Sequence, residues 1–204
     1  NLDLYQKLIQ RGIRLVFING AYPELADTPS VLADNYGGGR QLVEYLYQKG
    51  HRNIAGIFKN DDIQGTLRYA GYTEALRDLG LPFEDEWVFW YNTERRKAFR
   101  SESFVDSVVE GFAGCSAIVC YNDEVAIRIV SRLQKRGIDI PSQMAVVSFD
   151  NSQYSELAPV RLTSLSHGGR DLGELSATLM LHLLRGDACQ SVVVPWHLVD
   201  RESG

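Results

Sequence analysis

The 204-residue sequence is short of cysteine, of long apolar runs and of positive charge, and each shortage removes a class of function. Its three cysteines, Cys115, Cys120 and Cys189, are an odd number with no CxxC pair and no histidine at zinc-site spacing. They read as reduced thiols in a cytosolic protein, although a fragment of a secreted one would carry the same signature. No apolar run approaches the roughly 18 to 20 residues needed to cross a bilayer, and no charged, apolar leader opens the chain. Lys plus Arg number 21 against 26 Asp plus Glu, and the basic residues are scattered. That leaves no electrostatic footprint for a phosphate backbone, so a nucleic-acid contact is expected to lie outside these residues. The opening "NLDLYQKLIQRG" has no initiator methionine, which suggests a piece of a longer protein.

Catalytic and phosphate-binding signatures are missing as well. "GGGR" at Gly37 to Arg40 is glycine-rich but matches neither G-x-x-x-x-G-K-[ST] nor G-x-G-x-x-G, and there is no G-x-S-x-G elbow or H-E-x-x-H. Asp61-Asp62 and Asp123-Glu124 could hold Mg²⁺ or act as acid and base, yet adjacent residues rarely point the same way. No cofactor, metal or covalent chemistry is expected.

What is present is an alternation. Short apolar runs, Ile13 to Ile18, Ile54 to Phe58, Trp87 to Tyr91, Ser116 to Tyr121, Met144 to Phe149 and Ser191 to Val199, read as strands. Between them helical periods run over Tyr36 to Lys49, Gly65 to Leu79, Lys97 to Phe112, Glu124 to Arg136 and Asp171 to Arg185. Strand, helix, strand at this spacing predicts an α/β fold with right-handed crossovers and parallel sheets.

In such sheets ligands bind beyond the carboxyl ends of the strands. The residues there are Asn19 to Tyr22, Lys59 to Asp62, Trp90 to Asn92, Asn122-Asp123 and Asp150-Asn151. Amides and carboxylates pair with vicinal hydroxyls, and an aromatic face covers the apolar side of a sugar ring, so the set suits a small neutral polyol. Each could also be an N-cap. Of the four histidines, only His167, in a "SHGG" turn, is placed for a site; the alternative there is a surface loop.

Six segments, "ADNYGGGRQLVEYL", "KGHRNIAGI", "LRYAGYTEAL", "AIVCYNDEVA", "GIDIPSQMAVVSFDN" and "LTSLSHGGRDLGELSATLML", resemble, in family order, the effector-sensing domain of LacI-type transcriptional repressors. "GIFKNDDIQG" with "CYNDE" is most similar to arabinose-utilisation repressors, whose sensor is joined to a winged-helix head of the GntR type. The resemblance implies a periplasmic-binding-protein-like fold of two Rossmann-like lobes, 1–33 plus 167–190 and 34–166 plus 191–204, with the first lobe incomplete. It places Arg68, Asn122 and Asp150 at ligand contacts, Trp90 or Tyr91 near a stacking aromatic, and His167 where many relatives have glutamine. Lys59 and Asp61 belong to the arabinose-type stretch. Within "CYNDE" the expectation is that Asn122 grips the ligand, Asp123 caps the next helix or steadies the turn, and Glu124 complements the helix's positive end.

Three departures from the family pattern, Ser148, Arg128 and Gly168, leave the contact positions intact. The implied mechanism is non-enzymatic: a sugar, L-arabinose by resemblance, binds in the interlobe cleft of a cytoplasmic homodimer and changes operator affinity through a head outside this chain. A sugar-binding protein for transport, or a sugar-modifying enzyme using Asp61 or Asp123, are the alternatives.

Overall fold

A computed structural model describes residues 2–169 and 171–204. In chain order the elements are α1 (Leu2–Gln10), β1 (Phe17–Ile18), β2 (Ser30–Ala33), α2 (Asn35–Gln48), β3 (Ile54–Lys59), α3 (Ile63–Asp78) and β4 (Val88–Tyr91). They continue with α4 (Glu102–Glu110), β5 (Ala117–Cys120), α5 (Asp123–Lys135), β6 (Ala145–Phe149), α6 (Gln153–Leu157), β7 (Thr163–Ser166), α7 (Leu172–Arg185), β8 (Val192–Val194) and β9 (His197–Val199). The chain divides into two compact units, one of Asn1–Asp34 with His167–Trp196 and one of Asn35–Ser166 with His197–Gly204.

The larger unit holds a six-stranded sheet in the order β4-β3-β5-β6-β7-β9, parallel except for β9, which runs antiparallel to β7. Its inner strands are buried on both faces: every residue of β5 and β6 is buried. This is the pattern a helix-covered parallel sheet demands, and it is why those strands read as nearly continuous apolar runs, broken only at Ser148. One face packs against α4 and α5 through Val105, Val108, Ile129 and Leu133.

Helices α2 and α3 approach closely, and glycine is the reason. A Cβ on Gly39 would stand 2.2 Å from the Arg68 carbonyl oxygen, and one on Gly71 2.0 Å from that of Tyr36. The glycine-rich "GGGR" is therefore a helix-packing surface inside α2, which accounts for its failure to match a phosphate loop.

The smaller unit has a three-stranded parallel sheet, β1-β2-β8, with α1 and α7 beside it. The Asp171 carboxylate accepts from Gly173 N (2.6 Å) and Glu174 N (3.3 Å) to start α7, and Gly186, at φ 86°, ends it.

The structure departs from the sequence expectations at four places. The run Ile13 to Ile18 contributes only Phe17–Ile18 as strand. Ser191 to Val199 is two strands in two sheets: Val192–Val194 pairs with β2 and His197–Val199 with β7, the break falling at Pro195, which has no N–H for a ladder. Asp34 and residues 191–196 thus belong to the smaller unit, not to the larger as expected. The expected helix Lys97 to Phe112 is a 3₁₀ segment, Arg95–Arg100, then α4, separated by extended Ser101 (φ −87°, ψ 125°). Finally, β2 and β7 lie outside the six runs expected as strands; Thr163 and Ser164 are fully buried strand residues whose polar side chains hid the pattern.

Candidate functional site

The carboxyl ends of β3, β5 and β6 in the larger unit bring charged side chains together around Arg68. Arg68 projects from α3 and is 3% exposed. Its Nε donates to Asn35 Oδ1 (2.9 Å), Nη1 donates to the Tyr121 carbonyl, and Nη2 lies 3.5 Å from Asp150 Oδ1. The guanidinium carbon lies 4.1 Å from the Phe149 ring centroid and 4.7 Å from that of Tyr121. Two aromatic faces, an amide and a carboxylate thus hold a planar cation in one orientation, which lets a buried charge persist.

Asp150 follows β6 in a left-handed conformation (φ 97°), and so does Asn151 (φ 43°). Crowding by surrounding protein pushes the Asp150 carboxyl above its usual range, with Arg68 pulling the other way. Its side chain nonetheless keeps 43% exposure, so it can still meet a solute.

Lys59, at the end of β3, is held between Asp61 Oδ1 (3.0 Å) and Asp62 Oδ2 (2.8 Å). Burial works against its charge, but the two carboxylates together outweigh that and raise its pKa. Asp61 accepts from the Thr93 backbone N–H (2.9 Å); that bond first, and Lys59 second, bring its carboxyl down to about 2. Asp62 caps α3, accepting from Gly65 N (2.7 Å), and also accepts from the Tyr121 hydroxyl (2.8 Å). A side chain on Gly65 would collide with the Lys59 carbonyl at 1.9 Å, so glycine is what lets α3 start this close to β3.

Asn122 is the N-cap of α5: its Oδ1 accepts from Val125 N (3.1 Å), and the cap makes no use of its Nδ2 amino group. Asp123 does something other than cap. Buried to 1% exposure, it accepts from the hydroxyls of Ser148 (2.5 Å), Ser164 (2.7 Å) and Ser152 (2.8 Å) and from Ser152 N (2.6 Å). Glu124 lies in the first turn of α5, as its charge favours.

Trp90, Tyr91 and His167 are each held by aromatic neighbours. Trp90 packs edge-on against Tyr69 of α3 (4.7 Å between centroids) and tilted against Phe58 (5.9 Å). Tyr91 is 1% exposed and meets Phe99 and Tyr121 within the core. His167 belongs to the smaller unit, where its ring stacks on Trp196 at 3.8 Å. Two residues of the cluster had not been singled out: Asn35, which orients Arg68, and Tyr121, which binds Arg68 and Asp62. Both lie within quoted motifs, but their partners are distant in sequence.

Comparison with known proteins places this geometry. The family described as "Periplasmic binding protein-like domain" matches residues 43–204. The arabinose metabolism transcriptional repressor of Halalkalibacterium halodurans is 32% identical over 211 residues, covering all of this chain and 56% of that protein. Its counterpart in Geobacillus stearothermophilus is 32% identical over 187 residues, covering 90% of this chain and 50% of that protein. The chain thus spans about half the length of these curated relatives. Among solved structures, a complex of the transcriptional regulator CelR with cellobiose superposes with a TM-score of 0.86 at 28% identity, covering 98% of this chain and 62% of the other. Parallel sheets ending in a polar cluster, and a family match over most of the length, lead to one assignment: the chain belongs to the periplasmic-binding-protein-like domain family, in the form that LacI-type repressors use to sense effectors.

Proposed function

We propose that this chain is the sugar-sensing part of a cytoplasmic transcriptional repressor, that its effector is L-arabinose, and that it acts as a homodimer joined to a GntR-type DNA-binding head. The observation that carries the sugar reading is the Arg68 group. Its guanidinium is locked in place with one face of the fork turned to the half-exposed Asp150 carboxylate, a donor and an acceptor for neighbouring hydroxyls. Lys59 and Arg68 supply two positive charges there, and Asp61, Asp62 and Asp150 three negative ones. That balance disfavours a phosphorylated or carboxylated ligand and suits a neutral polyol. The arabinose assignment rests on the two relatives named for arabinose metabolism.

In this proposal Arg68, Asp150 and Asn122 contact the sugar, Lys59 and Asp61 shape the same strand ends, and His167 and Trp90 complete the contact set that the family resemblance implies. Binding favours one arrangement of the two units over another and thereby shifts the head's affinity for operator DNA. No bond in the sugar is made or broken.

A panel of pentoses and hexoses titrated calorimetrically into the full-length protein tests this, with one clear hit expected for L-arabinose. Arg68→Lys keeps the charge but loses the fork, and weakens that hit by roughly thirtyfold, the equivalent of about 2 kcal/mol for a charged hydrogen bond. Turnover of a labelled sugar would overthrow the sensor reading in favour of an enzyme.

A further inference from the structure

The turn that presents Asp150 is strained and unusually well held. Two consecutive non-glycine residues, Asp150 and Asn151, sit at positive φ, a conformation that persists only where its surroundings enforce it. Here three successive backbone amides are all held, two by β7 and one by the start of α5. Asp150 N–H donates to the Leu165 carbonyl (2.9 Å), Asn151 N–H to Ser164 Oγ (3.1 Å) and Ser152 N–H to Asp123 Oδ2 (2.6 Å). The Arg201 guanidinium adds a bond to Asn151 Oδ1 (2.8 Å).

Two of the three amide partners lead back to one carboxylate. Asp123 accepts from Ser152 directly and from the Ser164 hydroxyl that in turn accepts from Asn151 N–H; Ser148, two residues before Asp150, donates to it as well. Three of the four side chains are inside, Ser148 and Ser164 with no exposure and Asp123 with 1%, and Ser152 is half-buried. Asp123 thus ties the start of α5 to β6, to β7 and to the turn between β6 and α6. A carboxylate serving only to fill its own hydrogen bonds has no need of donors from both sides of one strained turn.

We infer that Asp123 is a positioning residue for ligand recognition: through Ser148, Ser152 and Ser164 it holds the Asp150-Asn151 turn in its left-handed form and so aims the Asp150 carboxylate beside Arg68. This rests on the sugar reading only in its last step. The step before it, that Asp123 holds the turn, is independent of any ligand.

Two measurements on the full-length protein separate the steps. Amide hydrogen exchange without sugar should show Ser148→Ala and Ser152→Ala speeding exchange across 150–152 by roughly fivefold, the worth of one net hydrogen bond, while β3 and β5 keep their protection. Ser152→Thr, which retains the hydroxyl, should exchange like the wild type. Unchanged exchange at 150–152 in both alanine variants overturns the inference. L-Arabinose affinity is then read in a cycle: Ser148→Ala weakens binding about fivefold in the wild-type background and has no further effect once Asp150→Ala is present. Equal losses in both backgrounds would mean a general structural role and would overturn the positioning claim. If exchange responds as expected but the wild type binds no sugar, the hold on the turn stands and the sugar reading falls.

Discussion

The two units of this chain are built from the same alternation of strand and helix, yet they differ sharply in how much they bury. In the larger, Ile54, Ile57, Phe58, Ile118, Val146 and Phe149 have no exposure at all, and helices α3 and α5 each bury six residues. In the smaller, α1 buries none of its residues and α7 only Ser176, while Leu4, Leu181, Leu184 and Val193 are each more than half exposed. The larger unit therefore carries a dense core of its own, and the charged cluster stands on it. Precision at a binding site needs that kind of support, because a guanidinium fork is useful only while its orientation is fixed.

The contrast can be broken most forcefully at the core. Phe58→Ala in β3 removes a ring with no exposure that contacts Tyr69, Tyr72 and Trp90, and should cost about 3–5 kcal/mol by denaturant titration. Leu184→Ala in α7, 66% exposed, should cost no more than about 0.5 kcal/mol. A matched glycine pair asks the same of the backbone. Gly39→Ala drives a methyl to 2.2 Å from the Arg68 carbonyl and should lose about 3 kcal/mol, together with displacement of Arg68. Gly20→Ala in the smaller unit meets nothing within 4 Å and should stay within about 0.5 kcal/mol.

Cysteine reactivity gives a finer test. Burial pushes the Cys115 thiol up to about 12 and that of Cys120 higher still, so neither forms thiolate near neutral pH. Cys189, in the smaller unit, is only partly buried. A thiol reagent read by mass spectrometry should label Cys189 in the native protein and the other two only on unfolding. The smallest effect is at Asp61, whose carboxyl is lowered from 3.8 to about 2. A lowered folded-state pKa gives stability that is present above pH 3.8 and lost as pH falls toward 2. Asp61→Asn should lower the melting temperature slightly at neutral pH, and the difference from the wild type should close as pH falls from 3.8 toward 2.

Much of the larger unit was legible because its strands are apolar throughout and its helices carry strong stops. β2 and β7 were not, since "SVLA" and "TSLS" mix hydroxyl side chains into strands whose burial is decided by neighbours far away in sequence. The division of Ser191 to Val199 between two sheets turns on one proline and on partners some 160 and 35 residues distant. At the site, strand-end position and residue type singled out Asn122, Asp150, Lys59 and Asp61, the family resemblance added Arg68, and the structure brings Arg68 and Asp150 together and ties Lys59 to Asp61. Composition could not say that Trp90 faces α3, or that Asn122 spends its carbonyl oxygen on a cap. Nor could it say that of two adjacent acids one is a buried hub: Asp123 differs from Glu124 in the three serines around it, which come from 25 to 41 residues away.

The central claim is that the charged cluster at these strand ends binds a neutral sugar. The most direct test is calorimetric titration of L-arabinose into the full-length protein, wild type beside Asp150→Ala, with melting curves to confirm that both are folded. The account predicts saturable binding by the wild type and an affinity roughly thirtyfold lower in the variant, the loss of a charged hydrogen bond. Equal affinity in two folded proteins, or no binding by the wild type, would contradict it.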